Sequence, residues 1–455
     1  MPTISDAHAT IPGPQGRFLL GSLDNLREAR ARPLEYVLEL TRQYGALCQV
    51  QLGPTRFVIV SSPELVKHVL QEKPTTYGRP AFVSLLRRVV GNGLLFSEGD
   101  YWLRQRRIMQ PTFHRERIAG FARTMAEAVE RRVEHWRARA GGEPLDISAE
   151  MAELSLEIVG RTLFSSELGR TADRLGPAIQ HMLAWLNERT ASPLAPPLFI
   201  PTAANRRFRA ARALIAQTVS QLIAERRAAT TEPGDLLSML LLARDAETGE
   251  GMTDAQLHDE VLTFLIAGYE TTSSALEWTL ILLAQHPSAA QRVRAEQREV
   301  CGSRAPTPAE LPRMPYTRMV IDEALRLYPP VFGLTRRVVH DAELGGYHVP
   351  KGAQVLVSPY ALHRRPELWG DPDRFDPERF APVRVAQRHR YAHVPFGAGP
   401  RQCIGNAFAM MELQVLIPSL IGALQFELAD NTHVTPQTCM TLRPRGPVLM
   451  RVQDA

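Results

Sequence analysis

The residues best able to do chemistry in this chain lie in four short stretches. The first is Phe396-Gly397-Ala398-Gly399-Pro400-Arg401-Gln402-Cys403-Ile404-Gly405. A lone cysteine is usually a small buried hydrophobe. Here, glycines on both sides permit a tight loop whose backbone amides can point at the sulfur, and against which a planar cofactor can lie. Arg401 and the start of the helix that follows both favour thiolate over thiol, so the stretch suits a sulfur anion. In the second, Ala267-Gly268-Tyr269-Glu270-Thr271-Thr272, an acid adjoins an alcohol. Taken alone, Thr271 is a helix hydroxyl bonded to its own backbone and Glu270 an ion-pair partner. Beside a reactive centre the same pair can relay a proton from solvent. The third, Glu323-Ala324-Leu325-Arg326, sets opposite charges three apart, which on a helix surface is a commonplace pair. The fourth, Trp102-Leu103-Arg104-Gln105-Arg106, puts an indole N–H and a guanidinium on one helix face, where they can bind an anion or simply meet solvent.

The elements that must position these stretches are mainly helical. Hydrophobic spacing, caps and breakers predict helices over 35–44, 101–109, 117–140, 147–163, 203–228, 236–244, 317–328 and 406–424. The longest helix opens with Thr253-Asp254-Ala255-Gln256, a capping-box pattern, and ends at His286-Pro287. About 33 residues at 1.5 Å each give ~50 Å, enough to cross a whole domain. Its apolar character all round between Val261 and Leu283 puts it in the core, with Glu270 and Thr271 upon it. Period-two patterns predict strands over 47–53 and 56–61, on either side of Gly53-Pro54, and over 343–357 around Pro350-Lys351-Gly352. A hairpin is expected within 432–452. With no internal repeat and no linker, residues 1–455 read as a single domain, mainly α with a minor β region.

Composition agrees with an ordinary globular protein: 44% hydrophobic and 22% charged residues exclude a disordered or collagen-like chain. The formal charge of +5 is almost all arginine, with Lys67, Lys73 and Lys351 the only lysines, and it carries no nucleic-acid signal. The four cysteines, Cys48, Cys301, Cys403 and Cys439, have neither zinc-site nor disulfide-framework spacing. The first residues lack the basic start and apolar core of a signal peptide, and no uninterrupted apolar run reaches the roughly 20 residues that span a bilayer. The expectation is a cytoplasmic protein without a membrane anchor.

At all five fixed positions the Cys403 stretch resembles the haem-ligating loop of the cytochrome P-450 family, Phe-x-x-Gly-x-Arg-x-Cys-x-Gly. The resemblance implies haem b, iron protoporphyrin IX, with Cys403 as the iron ligand, Phe396 packed beside it under the porphyrin and Arg401 paired with a propionate. The Ala267–Thr272 stretch resembles the family's oxygen-activation motif, which makes Glu270 and Thr271 the catalytic proton carriers. Glu323 and Arg326 match the family's Glu-x-x-Arg. Pro377-Glu378-Arg379-Phe380 matches the segment whose arginine completes a buried triad, implying a structural role for Glu323, Arg326 and Arg379 in holding the Cys403 loop. Trp102 and Arg106 match the family's Trp-x-x-x-Arg, which binds a propionate, leaving Arg104 and Arg107 to solvent or a partner. Arg336 stands where the family often supplies another propionate arginine, with Arg337 beside it as the alternative. The likeness runs from Pro12-Gly13-Pro14 to the C-terminal hairpin.

What this implies is the mainly helical cytochrome P-450 fold and a monooxygenase that inserts oxygen from O2 into a lipophilic small molecule, by hydroxylation or epoxidation. Without a fused flavin-binding reductase, electrons from NAD(P)H are expected through a separate ferredoxin or flavodoxin with its reductase. Arg104, Arg107, Arg115 and Arg388 are candidate docking charges. A haem-thiolate peroxygenase or isomerase, or a haem gas sensor, has no need of the Glu270-Thr271 pair, whose presence favours the O2-dependent reading. By family position the substrate pocket is walled by Val90, Leu94, Leu95, Phe264, Ala267, Phe332 and Leu334. That apolar set suits a fatty acid, terpenoid or polyketide.

Overall fold

A computed structural model describes residues 10–14, 20–139, 142–166, 172–191, 196–229, 234–429 and 434–455. Positions 140 and 432–433, at the ends of an expected helix and hairpin, lie outside them. The chain forms two compact units, one of Met1–Val83, Val331–Phe375 and Ala381–Cys403, the other of Ser84–Pro330, Asp376–Phe380 and Ile404–Ala455.

The first unit is built on a five-stranded sheet in the order Leu47–Leu52, Thr55–Val60, Gln354–Val357, Leu334–Val338, Tyr77–Gly78. Neighbours are antiparallel except Thr55–Val60 against Gln354–Val357, which are parallel. Val58 and Val60 face one core with Val66, Leu70, Val338, Val355 and Val357, while Ile59 joins Tyr36, Leu40, Cys48 and Val50 on the other side. A strand alternates its side chains between faces, so a strand buried on both reads as the unbroken apolar run Phe57-Val58-Ile59-Val60. Burial pushes the Cys48 thiol up to about 12, which leaves it an inert core residue. The expected strand over 343–357 is divided. Gly345 and Gly346, at φ +62° and +82°, turn the chain between Ala342–Leu344 and Tyr347–Val349, and Gln354–Val357 continues into the main sheet. Strand Leu334–Val338 escaped the sequence reading because its two adjacent arginines hide the alternation. In the structure Arg336 is buried and Arg337 exposed.

The second unit is largely helical. The helix expected over 117–140 is two, Arg115–Ala119 and Ala122–Arg137, and that over 236–244 stops at Leu242. The helices that went unread include Ala172–Ala191, which accommodates Pro177, and Pro287–Cys301, which starts on the proline that ends its predecessor. The C-terminal strands are the hairpin Pro436–Thr438 with Leu442–Pro444, and Leu424–Leu428 paired with Leu449–Asp454, which also pairs with Leu145–Asp146. Helix Asn406–Ala423 is, among the described residues, the one helix long and apolar enough to cross a membrane, and most of it is buried within the protein.

The central helix of this unit is Asp254–Gln285. Thr253 caps it by accepting from Gln256 N while Gln256 accepts from Thr253 N, the capping box expected from sequence. It packs most extensively on Ile147–Leu163 and is buried nearly all round, with Trp278 stacked on Tyr328 at 3.7 Å between ring centroids. Thr263, Thr271 and Thr279 each donate a hydroxyl proton to the carbonyl four residues earlier, so the core is crossed without orphaned hydroxyls. Charged types on this helix need partners from elsewhere. Glu260 is fully buried, and its Oε2 accepts from Leu94 N at 2.9 Å while its Oε1 has no partner among the described residues. Burial pushes its carboxyl up to about 8, against the opposing bond from Leu94.

A carboxyl whose folded pKa is raised stays protonated where the unfolded chain would ionise. The fold therefore loses stability as pH climbs from the ordinary carboxylate range to about 8. Glu260→Gln keeps an acceptor for Leu94 N and cannot ionise. Thermal denaturation should show the variant gaining on the parent as pH rises from 5 to 8.5; a constant difference across that range would mean that Glu260 is ionised in the fold.

Candidate active site

The cysteine loop belongs to the first unit. Cys403 N donates to Phe396 O, Gln402 N to Gly399 O and Gly397 N to Val394 O, each at 3.0 Å, closing successive turns around the sulfur. Gly397 and Gly399 have φ of +68° and +69°, and a Cβ at Gly399 would lie 2.0 Å from the carbonyl oxygen of Leu70, so only glycine fits. Cys403 forms no disulfide and is exposed, in contrast to buried Cys48. The chain leading into the loop is fixed by aromatic packing. His363, fully buried, accepts from Val394 N through Nε2 at 3.0 Å and packs with Trp369 and His393, and the Arg388 guanidinium lies 4.0 Å from the Trp369 ring centroid.

Leu334 approaches the loop closely: a Cβ on Gly397 would be 3.5 Å from its Cδ1. Two residues on, Arg336 is 8% exposed, and its one described side-chain hydrogen bond is Nη1 donating to Thr335 O at 3.0 Å. Burial alone shifts its pKa, downward, with no carboxylate opposing it. A buried cation without an anion is a costly arrangement unless a bound group supplies the charge. A haem propionate is such a group, and the alternation of the strand favours Arg336 over exposed Arg337. The thiol-bearing loop and this guanidinium fit a haem.

The acid-alcohol pair belongs to the second unit. Thr271 Oγ1 donates to Ala267 O at 2.7 Å, and Gly268 lets the helix approach Val159, where a Cβ would stand at 3.2 Å. Glu270 is 5% exposed and held from two directions. Its Oε1 accepts from Thr441 Oγ1 at 2.8 Å, its Oε2 from Gln180 Nε2 at 2.7 Å, and Arg443 Nη1 stands 3.8 Å from Oε1. Gln180 also donates to Tyr269 OH at 3.1 Å and accepts from Arg443 Nη1. Burial works against the Arg443 charge, yet Glu270 and Cys439 outweigh it and the net shift is upward. Gln180, Thr441 and Arg443 were absent from the sequence reading. They lie far from Glu270 along the chain, and no local motif marks them. Seven residues on, Glu277 accepts from Ser148 Oγ, and burial, aided by Asp146, pushes its carboxyl up to about 8.

Glu323 and Arg326 are both fully buried, so the surface-pair reading falls. Arg326 grips the carboxylate with two bonds, Nε to Oε2 at 2.7 Å and Nη2 to Oε1 at 2.8 Å. Asp376 N adds a bond to Oε1 at 2.9 Å, and Arg379 Nε stands 3.4 Å away. Trp102 and Arg106 lie half-buried on helix Gly99–Met109, with Arg106 Nε donating to Gln110 at 2.8 Å. The neighbouring arginines, left by sequence to solvent or a partner, are engaged. Arg104 pairs with Glu250 at 3.1 Å, and Arg107 with Asp245 at 3.0 Å and Glu247 at 2.6 Å. Of the expected pocket walls in this unit, Val90, Leu94 and Phe264 are buried, Ala267 is half-buried and Leu95 is 44% exposed. In the first unit Phe332 and Leu334 are half-buried.

Removing one member of a buried, bidentate ion pair leaves the other charged and unsolvated, at a cost of about 3–5 kcal/mol. Glu323→Ala should lower the unfolding free energy by about that much in chemical denaturation. A loss within the ~0–1 kcal/mol of a surface pair would contradict the burial described here.

The family described as Cytochrome P450 matches residues 11–451. Cyclooctatin synthase of Streptomyces melanosporofaciens is 38% identical over 424 residues, covering 92% of this chain and 91% of that one. Cyclooctat-9-en-7-ol 5-monooxygenase of the same organism is 39% identical over 402 residues, covering 88% and 86%. Among solved structures, the cytochrome P450DA heme domain superposes with a TM-score of 0.89 at 29% identity, over 99% of this chain and 98% of that one.

Proposed function

Because the chain belongs to the cytochrome P450 family and is one of its monooxygenases, we propose that it inserts one atom of O2 into a lipophilic, terpenoid substrate as a single haem domain spanning residues 1–455. Cys403 is the thiolate ligand of haem b in this reading. The observation that carries it is the Cys403 loop, an exposed cysteine outside any disulfide in a turn where Gly397 and Gly399 hold positive φ and Gly399 has no room for a Cβ. The two Streptomyces relatives, one of them named for a cyclic alkenol, support the substrate class. Electrons are proposed to come from NAD(P)H through a ferredoxin or flavodoxin. Arg104, Arg107, Arg115 and Arg388 are the proposed docking charges, of which Arg104 pairs with Glu250 and Arg107 with Asp245 and Glu247 of the same chain.

When bound, haem supplies the iron at which O2 is held and reduced. The chain's residues do the rest. Arg336, Trp102, Arg106 and Arg401 hold the propionates, and Phe396 packs beside Cys403. Glu270 would take a proton from the solvent side, where Arg443 is partly exposed, and give it to Thr271 Oγ1 as that hydroxyl releases the proton it already holds. Thr441 and Gln180 keep the carboxylate in place between transfers. Val90, Leu94, Leu95, Phe264, Ala267, Phe332 and Leu334 are proposed to enclose the apolar substrate.

Reduced protein under carbon monoxide should show the red-shifted Soret band of a thiolate-ligated haem, and Cys403→Ala should lose it. Persistence of the band in that variant would assign the ligand to another cysteine. Cyclic terpene alkenols should then shift the Soret band of the oxidised protein on binding, and failure of that whole class against a positive fatty acid would reassign the substrate.

Thr271→Ala should leave ligand binding intact while diverting electrons to hydrogen peroxide, and Thr441→Val should do so more mildly because Glu270 keeps Gln180 and Arg443. The ratio of peroxide to product per NAD(P)H is the measurement. An unchanged ratio in Thr271→Ala would remove that hydroxyl from proton transfer.

A further inference from the structure

One cavity of the second unit, of about 550 Å³, is lined by none of the residues assigned above to haem, proton transfer or substrate. Its lining brings together three guanidiniums from separate segments. Arg104 comes from helix Gly99–Met109, Arg227 from the last turn of helix Ala203–Ala228, and Arg244 from the loop after helix Leu236–Leu242. Like charges gathered in one concavity repel, and they focus a field that attracts an anion.

The carboxylates that reach these arginines are loosely held. Arg104 Nη2 donates to Glu250 Oε2 at 3.1 Å and to Gly251 O at 3.2 Å, and Arg227 grips Asp254 through Nη1 and Nη2. The Glu250 and Asp254 side chains are 72% and 78% exposed, so each pair contributes little and exchanges readily. Arg244 has no carboxylate partner among the described residues. Its Nη1 donates to Leu241 O at 3.1 Å and Ala243 O at 3.0 Å, while its Nε and Nη2 have no acceptor among them. The loop that carries Arg244 is a built one. Asp245, buried, accepts from Glu247 N at 2.9 Å, Thr248 N at 3.0 Å and Arg107 Nη2 at 3.0 Å, and Gly249 N donates to Asp245 O at 2.8 Å. A Cβ at Gly251 would lie 2.8 Å from Arg244 Nη1, so a larger residue there would displace the guanidinium.

We propose that this cavity binds a phosphate monoester, its dianionic head shared by Arg104, Arg227 and Arg244 and its carbon chain lying on Leu240, Leu241 and Met252. Guanidiniums present paired N–H donors that match phosphate oxygens. A dianion outweighs the single charge of Glu250, which turns out to water as the phosphate enters; a monocarboxylate would bring no more charge than Glu250 already does. The cavity has the size of a small-molecule site, about 300–1,000 Å³, and a bare phosphate ion would leave its apolar lining wet. The site is independent of the haem chemistry.

Hexyl phosphate titrated calorimetrically into the haem-loaded full chain should bind at one site, more weakly as salt rises, and should raise the thermal midpoint as it saturates. Arg244→Ser and Arg227→Ser should each weaken binding roughly tenfold or more. Glu250→Gln should strengthen it, because the competing carboxylate is gone. Arg42→Ser, the same loss of charge in the first unit, should leave it unchanged. Circular dichroism and the carbonyl-bound Soret band should match the parent in all four variants, which separates lost binding from lost folding. Inorganic phosphate is the second probe: weaker binding than hexyl phosphate supports the ester, and equal binding would overturn it in favour of the free ion. Absence of both heat and thermal shift with hexyl phosphate would overturn the site itself. So would undiminished binding by Arg244→Ser, or an equal loss in Arg42→Ser, which would reduce the effect to the overall positive charge of the chain.

Discussion

The constraint on which the second unit depends is that one core-crossing helix carries three buried carboxyls, Glu260, Glu270 and Glu277, at 0%, 5% and 5% exposure. Water cannot satisfy them there, and an isolated buried anion is far too costly to keep. Each draws polar groups from distant chain: Leu94 N for Glu260, Ser148 for Glu277, and Gln180, Thr441 and Arg443 for Glu270. The packing of the surrounding segments is therefore specified by acids as well as by hydrophobic contact. The three environments also differ. Burial drives Glu260 and Glu277 up to about 8, so they act as neutral hydrogen-bonding groups, whereas Glu270 alone has a guanidinium within 4 Å.

In the first unit the governing constraint is backbone conformation. Gly397 and Gly399 hold positive φ, and the Leu70 carbonyl would sit inside any Cβ at Gly399. The loop consequently presents Cys403 at the surface while its backbone is bonded inward. Arg336 is buried, and no carboxylate among the described residues pairs with its guanidinium. The proposed haem would offer a metal to the Cys403 sulfur and a propionate to the Arg336 guanidinium.

Local motifs were legible and long-range partners were not. The Cys403 loop, the capping box at Thr253 and the Glu323–Arg326 pair lie within ten residues each, and the conformation that makes them work is short-range. Burial of the Glu323 pair could not be read, because three-residue spacing is the same on a surface. Strand Leu334–Val338 was missed where Arg336 breaks the apolar alternation, the functional residue itself disguising the element. Helix Ala172–Ala191 was missed for its internal proline, and with it Gln180. The charges of Arg104 and Arg107 were visible, but their partners Glu250, Asp245 and Glu247 became neighbours only through tertiary structure.

The same division bears on what chooses the substrate. Val90 and Leu94 are candidate pocket walls, but the chain between them does not set its own course. Asp259 accepts from Asn92 N at 2.7 Å and Glu260 from Leu94 N at 2.9 Å. A Cβ at Gly91 would lie 2.3 Å from the Asp259 carboxylate, and one at Gly93 2.1 Å from the Thr263 hydroxyl. One face of the central helix, Asp259, Glu260 and Thr263, thus moulds the 91–94 segment, and the helix itself is fixed by the burial that its other acids require. Changing a wall residue alters the shape of an apolar surface by a side chain. Changing Asp259 or Glu260 releases the backbone that carries several walls together. Pocket shape in this protein is then partly encoded in polar residues that need never touch substrate, and a comparison confined to the apolar lining would miss it.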